Sequence, residues 1–266
     1  MPTIRANGLD LAYRIDGDGP ETLVLVNGLA DAKESWAAQF ASFGERYRVV
    51  SFDNRGIGES PTPPGPYMTA DMAADVAGLV DALGIDRFHL LGVSMGGMIA
   101  QEYAIRHADR LRSATFACTY SYPGPFCLRM FQCWRDLVPS LGVGFTQREV
   151  ILWAFTTDFF EQREDELAAV EEEMANNPQT VEAYLAQLHS IEQHDTRERL
   201  ASVTCPSLTL AGEEDLIIYP KLSRRLHDEL PHSTWVAVPG GHGCLWEHPE
   251  AFNAAVLDYL ANVTPA

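Results

Sequence analysis

Short apolar runs alternate with amphipathic stretches along most of the chain. Runs such as TLVLV and FHLLGV are continuous in apolar residues and are followed by glycine-containing turns. Such runs are typical of strands buried on both faces, as in a parallel sheet. The pair Asn7-Gly8 favours a tight hairpin between the first two strands. We predict eight strands, at Thr3–Ala6, Leu9–Ile15, Thr22–Val26, Arg48–Asp53, Phe88–Val93, Leu111–Cys118, Pro206–Gly212 and Ser233–Val238.

Helical periodicity appears between these strands. A helix is predicted from Thr69, as its N-cap, to Leu83, with Gly84 at its end. Further helices are predicted at about Met95–His107, at Lys221–Glu229 and after Pro249. Strands that alternate with helices predict an α/β fold, in which a mostly parallel sheet is flanked by helices. The apolar positions that share one face of the first helix are Met72, Val76, Leu79, Val80 and Leu83.

The alternation stops near Tyr120 and resumes after Thr196. We therefore predict a core of residues 1–119 and 197–266, interrupted by a mainly helical cap of residues 120–196. Ten of the 26 aromatic residues lie in residues 120–160, which favours an apolar or ring-containing substrate under the cap. Alternatively, most of these rings form the cap's own core. The candidate substrate contacts are Phe126, Trp134 and Trp153.

Acidic side chains outnumber basic ones, with 37 Asp and Glu against 19 Lys and Arg and a formal net charge of −18. Nucleic acids and anionic membrane surfaces bind positively charged proteins, so neither is expected as a partner. The five cysteines form no CxxC pair and are expected to be reduced. A polar beginning of the chain and the lack of a long apolar run predict a cytoplasmic protein. The sequence leaves a homodimer open.

The motif GVSMGG places Ser94 between a predicted buried strand and a predicted helix. A serine on such a sharp turn is presented above the sheet edge as a nucleophile. Glycines at 92 and 96 avoid collisions with the adjoining strand and helix. The backbone N–H of Met95, at the helix start, points to where a negative oxygen would form. The alternative is a tight glycine turn that merely contains a serine.

A serine nucleophile needs a base, which in turn is oriented by a carboxylate. His242 follows the last predicted strand and a Pro-Gly-Gly turn, and it therefore lies at the carboxyl edge of the sheet, where catalytic groups gather. His248 is the alternative base. Glu213, Glu214 and Asp215 all follow the preceding strand; Asp215 is furthest into the loop and gives the chain order Ser, Asp, His.

With these motifs in place, the chain resembles the α/β-hydrolase fold enzymes over nearly its whole length. It is similar to the branch that contains 3-oxoadipate enol-lactonases and small-molecule esterases. The resemblance implies a triad of Ser94, Asp215 and His242, and an oxyanion hole formed by the backbone N–H groups of Leu29 and Met95. The segments that carry it are Val26–Ala30, Ser51–Ser60, Gly92–Gly97, Ala211–Ile217 and Pro239–Asn253.

We therefore expect a serine hydrolase that cleaves a carboxylic ester or lactone of a small, largely apolar substrate through an acyl-enzyme. No metal or organic cofactor is expected. Two alternatives stay open: a carbon–carbon bond hydrolase of ring-cleavage products with the same triad, and a ligand receptor with little turnover.

Overall fold

The computed structural model describes residues 2–263, without the side chain of residue 173. Eight strands form one sheet in the order β1-β2-β4-β3-β5-β6-β7-β8. β1 and β2 are antiparallel to their neighbours, and all the other neighbouring strands are parallel. The predicted α/β fold and its eight strands are confirmed. The strands are β1 (Thr3–Ala6), β2 (Leu9–Asp16), β3 (Glu21–Val26), β4 (Tyr47–Phe52), β5 (Phe88–Val93), β6 (Leu111–Ala117), β7 (Ser207–Gly212) and β8 (Ser233–Val238).

The turn between β1 and β2 has the geometry that its sequence predicts. Asn7 has φ 46° and Gly8 has φ 77°. A type I′ turn requires positive φ at both central residues, and Asn-Gly is the pair that adopts it most readily. The hairpin prediction is therefore confirmed at the level of the backbone.

Helices cover both faces of the sheet because successive side chains of a strand point to opposite sides. In β3, Val24 and Val26 pack in the hydrophobic cluster that includes residues of α2, α3 and α8, whereas Leu23 and Leu25 pack in the cluster with α1 and α10. The helices are α1 (Ala37–Gly44), α2 (Thr69–Ala82), α3 (Met95–His107), α4 (Pro125–Ala154), α5 (Thr157–Gln162), α6 (Glu164–Ala175), α7 (Val181–Glu192), α8 (Pro220–Glu229), α9 (Cys244–Glu247) and α10 (Pro249–Asn262).

The start of α2 differs from the prediction. The N-cap is Met68, not Thr69, and the Met68 backbone N–H donates a hydrogen bond to Asp71 Oδ2 at 2.9 Å. Thr69 is the first helical residue, and its buried hydroxyl lies 3.0 Å from His194 Nδ1. Thr69 as N-cap was wrong because its side chain bonds across the chain, and a carboxylate one turn further on satisfies the helix end instead.

The segment between β6 and β7 contains the four helices α4 to α7 and, within its described residues, no strand. α4 is interrupted at Gly142, where φ 81° and ψ 169° lie outside the helical region. We keep the name cap for residues 120–196; the division of the chain into core and cap stays a prediction. Within residues 2–263, no helix has both the length and the apolar composition needed to cross a bilayer.

Candidate active site

Ser94 occupies the turn between β5 and α3, with φ 56° and ψ −119°. Positive φ is costly for a residue with a side chain and is commonly found at functional turns. The turn is so tight that a Cβ on Gly92 would lie 2.0 Å from the Gly96 carbonyl oxygen, and one on Gly96 would lie 2.0 Å from the Val26 carbonyl oxygen. Glycine is therefore required at both positions.

Asp215 and His242 form a hydrogen-bonded pair at the carboxyl edge of the sheet. His242 Nδ1 lies 2.7 Å from Asp215 Oδ2. The Asp215 side chain is fully buried, and its Oδ1 accepts hydrogen bonds from the backbone N–H groups of Ile217 and Ile218, at 2.9 and 2.8 Å. The carboxylate is thus fixed from one side and faces the imidazole with the other.

The two competing acids and the competing base are placed elsewhere. Glu213 and Glu214 are exposed, so that Asp215 alone of the three consecutive acids meets the imidazole. His248 lies between α9 and α10 and is not among the described residues that line the cavity at Ser94.

The His242 imidazole is electrostatically biased toward its protonated form. Burial lowers its pKa, but the attraction and hydrogen bond of the Asp215 carboxylate outweigh burial, and the pKa is raised to about 9. Cys118 and Asp31 add smaller contributions in the same direction. An imidazole of raised pKa accepts a proton readily, as a general base must.

Ser94 and His242 line one cavity of about 60 Å³. Its walls are mainly apolar, as expected of a small-molecule site. Trp134, one of the three aromatic residues predicted to contact substrate, lines this cavity, whereas Phe126 and Trp153 are not among its described lining residues. Other apolar wall residues include Phe131, Ile151, Phe155, Ile191 and Ile218.

Phe126 and Trp153 have other surroundings. Phe126 is 48% exposed and meets Tyr219 edge-on, with ring centroids 6.3 Å apart. The Trp153 indole N–H donates to Glu149 Oε1 at 2.6 Å, and the Trp134 indole N–H donates to Glu149 Oε2 at 2.8 Å. One carboxylate therefore orients both indoles, but only Trp134 reaches the cavity wall.

Of the two residues predicted to form the oxyanion hole, Leu29 shares the cavity with Ser94, and Met95 follows Ser94 directly in the chain. Leu29 lies in the loop after β3 and lines the cavity, and Met95 is the first residue of α3. Within the described residues, neither backbone N–H donates a hydrogen bond. Both groups therefore remain available to an oxygen on the substrate, as an oxyanion hole requires.

Amide side chains of the cap hold the loop after Leu29, a feature that the sequence analysis missed. Ala30 has φ 63°; its N–H donates to Gln187 Oε1 at 3.2 Å, and its carbonyl accepts from Asn177 Nδ2 at 3.0 Å. Gln187 Nε2 in turn donates to the Arg55 carbonyl at 2.8 Å. Gln187 and Asn177 lie in a segment without a motif, far along the chain from Ala30, and no sequence pattern indicates these contacts.

The loop that carries His242 is also tied to the cap. The buried Glu247 carboxylate accepts hydrogen bonds from the Gly241 backbone N–H at 2.9 Å and from the Thr156 backbone N–H at 3.3 Å. The Thr156 hydroxyl bonds the same carboxylate. Glu247 therefore connects the residue before the imidazole to the segment between α4 and α5.

Two buried thiols lie beside the Asp–His pair. Cys118 Sγ is 3.6 Å from Cys244 Sγ, and Cys118, Asp215 and His242 offer potential metal-ligand atoms within 4.8 Å of one another. The facing Cys244 thiol and burial raise the pKa of Cys118, so its thiol stays protonated, and the Asp215 and His242 atoms already bond each other. The arrangement fits a hydrogen-bonded acid–base pair better than a cation site, because metals bind thiolates.

Comparison with known families agrees with this geometry. Residues 21–249 match the family model described as alpha/beta hydrolase fold. The chain belongs to the α/β-hydrolase family. It is accordingly a hydrolase, and its sheet order and helical flanks are those of that fold.

Individual relatives of this α/β hydrolase have names that refer to different activities. The chain is 32% identical to RutD from Caulobacter sp. strain K31, which is named for carbamate hydrolysis, with 91% of each chain covered. It also resembles the enol-lactonase from Burkholderia xenovorans LB400, at TM-score 0.91 and 30% identity over 98% of this chain and 100% of that one. A thermophilic esterase from Thermogutta terrifontis matches at TM-score 0.88 and 28% identity, covering 98% of each chain.

Proposed function

We propose that the chain is a serine hydrolase that cleaves a carboxylic ester or lactone of a small, largely apolar substrate. The observation that carries the proposal is the 2.7 Å contact between His242 Nδ1 and Asp215, in a site where His242 and Ser94 line the same cavity. A base oriented by a buried carboxylate, next to a serine on a strained turn, is the arrangement that activates a hydroxyl for acyl transfer.

In the proposed reaction, His242 Nε2 takes the Ser94 hydroxyl proton as the oxygen attacks the substrate carbonyl. The carbonyl oxygen becomes negative and accepts hydrogen bonds from the Leu29 and Met95 backbone N–H groups. Collapse of the tetrahedral intermediate breaks the bond to the alcohol oxygen, which receives the proton from His242. Water then attacks the acyl-enzyme by the same steps in reverse, and the carboxylic acid leaves.

The Asp215 carboxylate supports both halves of this cycle. It holds Nδ1 of the imidazole and keeps Nε2 available to the reacting atoms. It also stabilises the imidazolium that forms in each transition state, because a negative charge adjacent to the ring favours its protonated form. No step of this cycle requires a metal or an organic cofactor.

The size and walls of the cavity support a small apolar acyl group. About 60 Å³ of space bounded by Phe131, Trp134 and Ile151 suits a short hydrocarbon chain better than a polar one. The resemblance to an enol-lactonase and to an esterase supports both an open ester and a lactone as substrates. The relative named for carbamate hydrolysis adds carbamates to the classes to be tested.

The test is a panel of esters, lactones, carbamates and thioesters of increasing acyl length, with the Ser94→Ala variant as the blank. We expect Ser94-dependent hydrolysis of at least one short-chain ester or lactone, and covalent labelling of Ser94 by a fluorophosphonate. Turnover of a vinylogous diketo acid in preference to every ester would instead favour a carbon–carbon bond hydrolase. A folded protein that hydrolyses nothing and takes no label would favour a receptor.

A further inference from the structure

Gln147 is a polar residue on an otherwise apolar face of α4. The described residues that line the cavity at Ser94 include four at the i, i+3, i+4 and i+7 spacing of one helix face, namely Gln147, Val150, Ile151 and Ala154. Gln147 is only 4% exposed. A polar residue at a buried position where the helical pattern calls for an apolar one costs stability, and such exceptions are typical of functional sites.

Polar side chains are scarce on the cap side of this cavity. Apart from Gln147, the described cap residues in its wall are apolar, with the indole of Trp134 as the one exception. The Trp134 N–H already donates a hydrogen bond to Glu149 Oε2, at 2.8 Å. Among the described residues of the cap, Gln147 is therefore the side chain that can offer a hydrogen bond to a group inside the cavity.

The Gln147 amide also differs from the other buried glutamine side chains in its partners. Each of the other four forms at least two hydrogen bonds with described residues: Gln39, Gln101, Gln179 and Gln187. Even the neighbouring Thr146 hydroxyl donates to the Gly142 carbonyl, at 3.0 Å. No hydrogen bond of comparable geometry joins the Gln147 side chain to another described residue. Its N–H donors and its carbonyl acceptor are therefore available to a ligand.

The Tyr184 hydroxyl is the polar group beside this amide on the protein side. Burial raises the pKa of Tyr184, and the Gln147 amide opposes that rise, as an N–H group directed toward the phenol oxygen does. Tyr184 is fully buried, and its hydroxyl has no hydrogen-bond partner of ordinary geometry among the described residues. The contact therefore biases the orientation of the amide without using up its hydrogen-bonding capacity.

We propose that Gln147 is a specificity-determining residue that hydrogen-bonds an uncharged oxygen function, a keto or hydroxyl group, on the acyl chain of the substrate. This inference rests on the proposed function, which assigns the acyl chain to this cavity. Between apolar walls, an oxygen loses its hydration without compensation, whereas the Gln147 amide replaces the lost hydrogen bond. The amide is uncharged, so it compensates far less for the desolvation of a carboxylate.

Matched pairs of p-nitrophenyl esters isolate this hydrogen bond. Each ester in the series from 4-oxopentanoate to 7-oxooctanoate is compared with the ester in which a CH–CH3 branch replaces the keto group. The pair of 6-hydroxyhexanoate and heptanoate adds a group that can also donate. The measured quantity is the ratio of kcat/KM for the oxygenated ester to that for its hydrocarbon partner. Any effect of a substitution on the triad or the oxyanion hole is common to both members of a pair and cancels in this ratio.

We expect Gln147→Leu to lower this ratio by about tenfold at the chain length that brings the oxygen to the amide, because the oxygen is still desolvated but loses its partner. Gln147→Asn sets the amide back by one methylene, so its ratio should be highest for the next longer acyl chain. A loss of packing alone would not shift that optimum. Tyr184→Phe releases the amide and should lower the ratio by roughly threefold. The matched control is Gln132→Leu, the same substitution at an exposed site of α4, whose ratios should equal those of the wild type.

The outcomes separate the role of Gln147 from the proposed function. Unchanged ratios for every pair in a folded Gln147→Leu variant overturn the role of Gln147 and leave the serine hydrolase standing. A wild type that takes the fluorophosphonate label but hydrolyses no ester of the set overturns that role as well. A wild type with neither label nor hydrolysis overturns both proposals. If Gln147→Leu does not fold, Gln147→Asn decides, because an unchanged optimum of chain length contradicts the hydrogen bond.

Discussion

The backbone N–H of Ala30 donates a hydrogen bond to the side-chain oxygen of Gln187, a residue 157 positions later in the chain. Ala30 follows Leu29 directly and has positive φ, so the bond fixes the backbone next to the Leu29 N–H, the proposed oxyanion donor. Gln187 is fully buried and holds the Arg55 carbonyl with its other end. A side chain of the cap thus helps to define a backbone position in the candidate active site.

Replacing Gln187 should therefore impair the chemical step more than binding. For Gln187→Leu we expect kcat to fall by about ten- to hundredfold with little change in KM. The reason is that an oxyanion donor stabilises the transition state more than the bound substrate, so misplacing it affects mainly the chemical step. Gln187→Glu retains an acceptor for the Ala30 N–H and should recover part of kcat. Gln132→Leu, at an exposed site in α4, is the control. A rise in KM at constant kcat would contradict the positioning role.

Replacing the proposed triad residues should remove nearly all turnover. Ser94→Ala is expected to lower kcat by about four to six orders of magnitude, and Asp215→Asn by roughly four, because residues of a triad act as one unit. Steady-state kinetics on the best ester, with circular dichroism to verify folding, measures this. Near-normal activity of a folded Ser94→Ala variant would disprove the mechanism.

Position 29 should tolerate a change of side chain but not the loss of its backbone N–H group. Since its proposed role uses only the N–H group, Leu29→Ala should keep kcat within about tenfold, whereas Leu29→Pro removes the donor and should lower kcat by roughly two to three orders of magnitude. The difference between the two variants is the informative quantity. Equal losses in both would point to a role for the leucine side chain.

The activity should increase with pH. His242 must be neutral to accept the serine proton, and its pKa is raised to about 9, so kcat/KM should rise through neutral pH and reach half of its maximum near pH 9. Asp215→Asn should move the rise of kcat/KM to lower pH, because it removes the negative charge that raises the pKa of His242. The profile is measured with an ester whose background hydrolysis is subtracted; a plateau that is already complete at pH 7 would contradict the assigned pKa.

The raised pKa of His242 also affects the stability of the folded protein. A pKa that is higher in the folded protein than the ordinary value of 6.5 means that the folded state binds the proton more tightly than the unfolded chain does. The His242–Asp215 pair therefore contributes fully below about pH 6.5, and its contribution is lost as the pH rises through about 9. The free energy of unfolding of His242→Gln should accordingly depend less on pH over this interval than that of the wild type.

The sheet and the relative positions of the candidate catalytic residues could be predicted because local patterns determine them. A run such as FHLLGV, bounded by turn residues and alternating with helical segments, is typical of a strand buried on both faces in a parallel sheet. Chain connectivity then brings the segments after β5, β7 and β8 to one edge, where Ser94, Asp215 and His242 are found. The tight turn at Ser94 could likewise be inferred, because two glycines are needed for it.

The lining of the cavity could not be predicted in the same way. Gly142 interrupts α4, so the periodicity before it does not carry over to Trp153 after it. The hydroxyl of Thr69 bonds a histidine at the far end of the cap instead of its own helix. The hydrogen bonds of Gln187 and Asn177 depend on how the cap rests on the loops, and short-range patterns contain no information about that placement.

Buried hydrogen bonds of Glu247 and Ala30 limit how the cap can be replaced during evolution. The Glu247 carboxylate joins the loop before His242 to the segment between α4 and α5, and Gln187 and Asn177 join the loop after β3 to the cap. Residues 120–196 are therefore not exchangeable as an independent module, because a foreign insertion would leave the backbone groups of Ala30 and one oxygen of the buried Glu247 carboxylate, Oε1, without their cap partners. A functional chimera would have to transfer those amide and hydroxyl side chains along with the new helices.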